Sequence, residues 1–140
     1  MKIPDFYIDD LIKKAITEDI NYIDVTTDYL IPDGHLSDAV FVSKDEGILC
    51  GIDVVARVFY LLDETVKTEI LIKDGEPVKK GDIIAKLSGN TKSLLKGERT
   101  ALNIIQHMSG ISTATNKCVK LVEGTNALIA DTRKTLPGLR

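Results

Sequence analysis

Between Ser93 and His107, Leu94, Leu95, Ala101, Leu102, Ile104 and Ile105 recur at helical spacing and give a broad apolar face. Glu98, Arg99, Asn103, Gln106 and His107 lie largely off it. A helix with so wide an apolar stripe must pack that stripe on its own domain. Ser109-Gly110 breaks the pattern, and Thr113 to Val122 resumes it as a second helix, with Gly124 as its C′ residue.

The elements for those helices to pack on are read upstream. Pro4 opens an amphipathic helix with Phe6-Tyr7, Leu11-Ile12 and Ala15-Ile16 on its apolar side. Asn21 to Asp33 is rich in turn formers, and Asp24 to Thr27 offers local side-chain caps. Ala39 to Ser43 reads as a strand, and Gly47 to Gly51 as a strand or strand end. Asp53 to Leu62 reads as a helix with Val54, Val55, Val58, Phe59, Leu61 and Leu62 toward the core. Thr65 to Ile72 alternates as a half-buried strand, and Ile83 to Leu87 is another strand. Between these two, Asp74 to Asp82 is a compact double turn. Its pattern admits a carrier-type turn of the biotinyl or lipoyl kind, but a hairpin turn using glycine for positive φ is favoured. No internal repeat suggests a solenoid.

The length of 140 residues corresponds to one ordinary domain, and 44% apolar content supports a buried core. Cys50 and Cys118 cannot form a disulfide framework, have no zinc-site spacing, and read as small core residues. The start, acidic within ten residues and without an apolar stretch, is not a secretory signal. No apolar run approaches the roughly 18–20 residues of a membrane span. These features read as a reduced, soluble, cytoplasmic protein.

A net charge of −3 does not suggest a nucleic-acid binder. The distribution says more: residues 1–38 carry 9 acids against 3 bases, whereas residues 117–140 carry 5 bases against 2 acids. Anionic partners are therefore expected at the end of the chain. There, Ala127-Leu128-Ile129-Ala130 is an unbroken apolar run, expected as a parallel strand buried on both faces. Asp131, Arg133 and Lys134 follow at its carboxyl end, where ligands of α/β folds bind. Arg133 and Lys134 either cradle an anion or form a solvated basic turn; the strand-end position favours the first. Arg99 reads as a surface arginine paired within its helix. His35 falls in a loop, and lone His107 has no carboxylate at metal-ligand spacing. Residues 1–112 read as a finished small domain, and 113–140 as the first helix, strand and loop of a second. The chain is thus expected to be the N-terminal portion of a longer protein.

Three motifs now stand in order: Glu98-Arg99-Thr100-Ala101-Leu102-Asn103, Ser109-Gly110-Ile111-Ser112-Thr113-Ala114-Thr115, and Asp131-Thr132-Arg133-Lys134-Thr135-Leu136-Pro137-Gly138-Leu139-Arg140. With the earlier Glu18-Asp19 and Asp24-Val25-Thr26-Thr27, they resemble quinolinate phosphoribosyltransferase (decarboxylating), also called nicotinate-nucleotide pyrophosphorylase. The resemblance spans the whole chain. It implies an α/β fold, in which an α+β sandwich domain at the N-terminus is followed by the start of an α/β-barrel. It implies a pentosyltransferase of NAD biosynthesis, acting on quinolinate and phosphoribosyl pyrophosphate with Mg²⁺, as a homodimer or larger homo-oligomer. By the family's pattern Arg99 binds substrate in trans from the partner subunit. Thr132, Arg133 and Lys134 bind the quinolinate carboxylates, with Lys134 also catalytic. The metal ligands are expected beyond Arg140, with none in this segment. A paralogue found with molybdate transport shares much of the pattern and is the alternative.

Overall fold

The computed structural model describes residues 4–21 and 23–136. Helix α1 (Asp5–Ile20) begins after Pro4, which holds extended backbone at the N-cap. Its inward stripe is Ile8, Ile12 and Ile16, with Ile12 fully buried. The aromatic pair expected on that side points outward instead: Phe6 and Tyr7 are exposed and stack on each other, ring centroids 4.3 Å apart. One step of four residues defines the buried stripe, and a pair at the very start of the helix lies beyond the core's edge. The turn-rich stretch that follows holds a short helix, α2 (Val25–Leu30). Asp24 caps it, accepting from the Thr27 N–H at 3.2 Å, which is the local role its sequence position suggests.

Strands β1 (Leu36–Val42) and β2 (Gly47–Ile48) precede helix α3 (Ile52–Leu62); β3 (Lys67–Ile70), β4 (Pro77–Val78) and β5 (Ile83–Asn90) follow. The larger sheet is antiparallel in the order β1-β5-β3, and β2 pairs antiparallel with β4. The register sets Phe41 opposite Ala85, Ala39 opposite Leu87, and Ile70 opposite Ala85. These positions share one face, and helices cover it: Val55, Val58 and Phe59 of α3, and Leu94, Ala101 and Ile105 of helix α4 (Thr91–Val122), close the core with Phe41, Ala85 and Leu87. The opposite face carries Lys86 against Glu69 at 3.7 Å. The double turn from Asp74 to Asp82 uses glycine as expected, with Gly75 and Gly81 at φ 88° and 95°.

Three expectations about the last third of the chain are corrected. Ser109-Gly110 does not divide two helices: α4 runs unbroken for 32 residues, about 48 Å at 1.5 Å per residue. The Ser109 hydroxyl does not cap a new helix. It accepts from the Cys50 N–H at 3.0 Å and donates to the Cys50 carbonyl at 3.1 Å. One turn later Thr113 Oγ1 accepts from the Ile48 N–H at 2.9 Å. Both hydroxyls therefore clamp the helix to the β2 segment, and a glycine between them costs too little to stop it. α4 ends at Val122, with Gly124 at φ 81° in the role expected of it.

The second correction concerns Ala127 to Ala130, which form no strand and lie exposed, Leu128 at 91%. A strand buried on both faces needs a ladder on each side, and no described residue supplies one. Every strand pairing among the described residues is antiparallel. Cys118 is also corrected: it is exposed on the outer half of α4 and not in the core. Cys50 is half-buried, and burial, with the negative charge of Asp74, pushes its thiol pKa up. Among the described residues no helix is long and apolar enough to cross a membrane.

Candidate functional site

Lys92, Lys96 and Arg99 stand four and three residues apart, so the helix brings all three cations to one side of α4. Each meets a carboxylate from the acidic first part of the chain. Lys92 Nζ donates to Asp33 Oδ1 at 2.5 Å, Lys96 Nζ to Asp28 Oδ1 at 2.5 Å, and Arg99 Nη1 to Asp19 Oδ1 at 2.5 Å. The acid excess of residues 1–38 is therefore spent partly on this stripe, and the intrahelical pairing expected for Arg99 is replaced by a contact to α1. The spacing of the three cations, set beside that acid excess, was the available signal for the ladder.

The three cations differ in exposure. The Lys92 and Lys96 side chains are 20% and 25% exposed, whereas that of Arg99 is 73% exposed. Arg99 rims an open groove of about 410 Å³ between the end of α1, the start of α2 and α4, shared with Asp19, Asp24, Asn103 and Gln106. Its pKa is raised further by the hydrogen bond to Asp19, then by that carboxylate's charge and those of Asp24 and Glu98, so the group is a permanent cation. The acidic neighbours also limit what the groove does alone. Asp19, Asp24 and Glu98 outnumber Lys96 and Arg99, and Lys96 is already paired. An anion bound here needs further cations from elsewhere.

The second set of expected site residues is not brought to Arg99. Thr132, Arg133 and Lys134 are exposed and follow no strand. Their local order is a small turn in which the Lys134 N–H donates to Thr132 Oγ1 at 3.3 Å and the Thr135 N–H to the Arg133 carbonyl at 3.1 Å. The Arg133 and Lys134 side chains make no hydrogen bond or ion pair among the described residues. The last part of the third motif, Pro137 to Arg140, lies outside the described residues. Among the described residues no three His, Cys, Asp or Glu side chains converge.

Residues 24–109, which take in α2, both sheets and α4 past Arg99, match the family "Quinolinate phosphoribosyl transferase, N-terminal domain". The chain belongs to this family. Membership accords with the ordered motifs and with the mixed sheet-and-helix fold. A Mycobacterium leprae relative named nicotinate-nucleotide pyrophosphorylase (carboxylating) is 39% identical over 137 residues, covering 94% of this chain and 47% of the relative. A Nicotiana tabacum relative, named quinolinate phosphoribosyltransferase (decarboxylating) 2b, mitochondrial, is 38% identical over 138 residues, covering 98% of this chain and 39% of the relative. The crystal structure of NadC from Streptococcus pyogenes superposes with a TM-score of 0.95 at 35% identity, over 99% of this chain and 50% of that one. The chain thus spans about half the length or less of the family relatives it matches.

Proposed function

We propose that the full-length protein transfers a phosphoribosyl group from phosphoribosyl pyrophosphate to quinolinate, with decarboxylation, and that this chain supplies substrate-binding cations to two different sites. The observation that carries the reading is Arg99: in a chain of this family, it is the one cation of the α4 stripe whose side chain stands largely in solvent. Quinolinate bears two adjacent carboxylates, and phosphoribosyl pyrophosphate is a polyanion. Both need fixed cations, and a guanidinium fork suits a carboxylate. The ring nitrogen attacks the anomeric carbon, pyrophosphate leaves, and the 2-carboxylate departs as CO₂. The electron pair it leaves is held beside the cationic ring nitrogen until a proton replaces it.

On this reading Arg133, Lys134 and Thr132 engage the quinolinate carboxylates on one subunit, with Lys134 closest to the reacting centre. Arg99 of the partner completes the site. Two features support the split. The acidic groove leaves Arg99 unable to hold a dianion alone, and Arg99 and the 131–134 turn make no contact with each other. Residues 113–140 then begin a second, barrel domain, with α4 carried across the boundary. A barrel would supply the neighbours that Ala127 to Ala130 lack.

The test is complementation in the full-length protein. Arg99→Ala and Lys134→Ala homodimers are each expected to be nearly inactive for coupled release of CO₂ and pyrophosphate from both substrates with Mg²⁺. Re-associated together, they recover up to about a quarter of wild-type activity, because half the dimers are mixed and each mixed dimer holds one intact site. No recovery places Arg99 in the same subunit's site. No CO₂ from quinolinate with the wild-type protein overturns the reaction itself and favours the paralogue's substrate.

A further inference from the structure

Asp19 and Arg99 are 80 positions apart in sequence, yet they form the outermost rung of the α4 ladder. The rung is lopsided. The Asp19 side chain is 21% exposed, set into the groove wall, while the Arg99 side chain is 73% exposed. A guanidinium has five N–H donors. Asp19 takes one, at Nη1, and among the described residues no other acceptor meets the group. The nearby acids are not equivalent to Asp19. Asp24 accepts from the Thr27 N–H and is committed to capping α2, and Glu98 makes no hydrogen bond to the guanidinium. Lys92 and Lys96, by contrast, are held in less exposed positions by their own carboxylates.

We infer that Asp19 is a positioning residue for Arg99: it holds one end of the guanidinium against α1 and leaves the other donors for a substrate carboxylate presented by the partner subunit. The inference rests on the reading of Arg99 as a substrate-binding residue. An arginine on a long stem loses rotamer freedom when it binds, and a carboxylate that has already fixed it removes part of that loss. The opposite role is physically possible for the same contact. If Asp19 occupied the place of the substrate's carboxylate, it would be a competitor, and its removal would tighten binding. The two roles differ in sign.

The experiment is steady-state kinetics on the full-length protein with Asp19→Ala, Asp19→Asn and Asp19→Glu, each confirmed folded by its melting curve. Asp19→Ala is expected to raise the KM for quinolinate about tenfold, with kcat changed much less and the KM for phosphoribosyl pyrophosphate unmoved. Asp19→Asn falls between Asp19→Ala and the wild type, and Asp19→Glu recovers part of the loss. In an Arg99→Ala background, where quinolinate binding by calorimetry replaces turnover as the readout, Asp19→Ala adds nothing further, because a residue that acts through Arg99 has no other route. A lower or unchanged KM in Asp19→Ala overturns the inference, as does a full effect that persists without Arg99. A wild-type protein that does not turn over quinolinate overturns the underlying reading, an outcome distinct from an active wild type insensitive to Asp19.

Discussion

From Thr91 to Ile105, α4 buries Leu94, Gly97, Thr100, Ala101 and Ile105; from Ser109 to Val122 it buries none. The backbone is one continuous helix, but the surroundings change partway along it. The first half lies against α3 and the larger sheet and carries the ladder to Asp33, Asp28 and Asp19. The second half is clamped by two hydroxyls to Ile48 of β2 and to Cys50 just after it, and otherwise shows Ile111, Val119 and Leu121 to solvent. Helical structure is thus continuous where packing is not. A long helix needs only part of its length buried to persist, because each added residue gains a backbone hydrogen bond once the helix is nucleated.

The sharpest way to break this comparison is to truncate one leucine in each half. Leu94→Ala empties a position that is 6% exposed and is expected to cost about 2–5 kcal/mol in denaturant unfolding. Leu121→Ala, at a position 83% exposed, is expected to stay within about 0.5 kcal/mol of the wild type. Similar losses at both positions would mean that the outer half is packed after all.

A smaller effect comes with opposite signs. A Cβ at Gly97 would lie 2.6 Å from Phe59 Cε1 and 3.0 Å from Leu62 Cδ1, and Phe59 is only 2% exposed and has no room to swing aside. Gly97→Ala is expected to destabilise, since overpacking costs about 1–3 kcal/mol against a helix-propensity gain of at most about 1. A Cβ at Gly110 meets nothing within 4 Å, so Gly110→Ala keeps the propensity gain and is expected to raise the melting temperature.

The smallest effect concerns how the packed half begins. Asp63, at the C-cap of α3, accepts from the Thr65 N–H and hydroxyl and from the Ser93 hydroxyl in the first turn of α4. The hydrogen bonds from Thr65 hold its pKa below the ordinary 3.8, and the one from Ser93 adds to them. A depressed carboxylate contributes stability that is complete above its ordinary value and lost as the pH falls through the lowered one. Asp63→Ala is therefore expected to cost about 1 kcal/mol at neutral pH. In a melting series run downward in pH, its deficit should shrink once the pH passes below 3.8. A deficit that stays constant to lower pH would show that the cost lies in the backbone turn and not in the charge.

Much of the architecture was legible in local pattern. The alternation of Val66, Thr68, Ile70 and Ile72 marks β3 and its flanks, and the apolar spacing in 53–62 marks α3. Gly75, Gly81 and Gly124 stand where positive φ is needed, and Asp24 caps where its residue type says it should. The motif runs around Glu98, Ser109 and Asp131 were enough to point to the family. These features depend on residues within a turn or two of one another, and periodicity and side-chain size decide them.

What the sequence by itself determined, then, is most of the helices, strands and glycine turns before Ser109, and to which family the chain belongs. The tertiary structure alone decided the pairings across long separations. Ser109 and Thr113 bond to backbone 59 and 65 positions away, and this clamps α4 across the point where its own sequence suggests a break. Arg99 finds Asp19 in place of a neighbour in its own helix, and Phe6 and Tyr7 turn outward although the periodicity would allow them in. Ala127 to Ala130 have the composition of a buried strand but stay exposed, because a strand is made by the neighbours that complete its ladder. The physical reason is common to all four: a residue's local preference is a property of the chain, whereas its hydrogen-bond partner and its burial belong to whatever surface the rest of the fold places beside it.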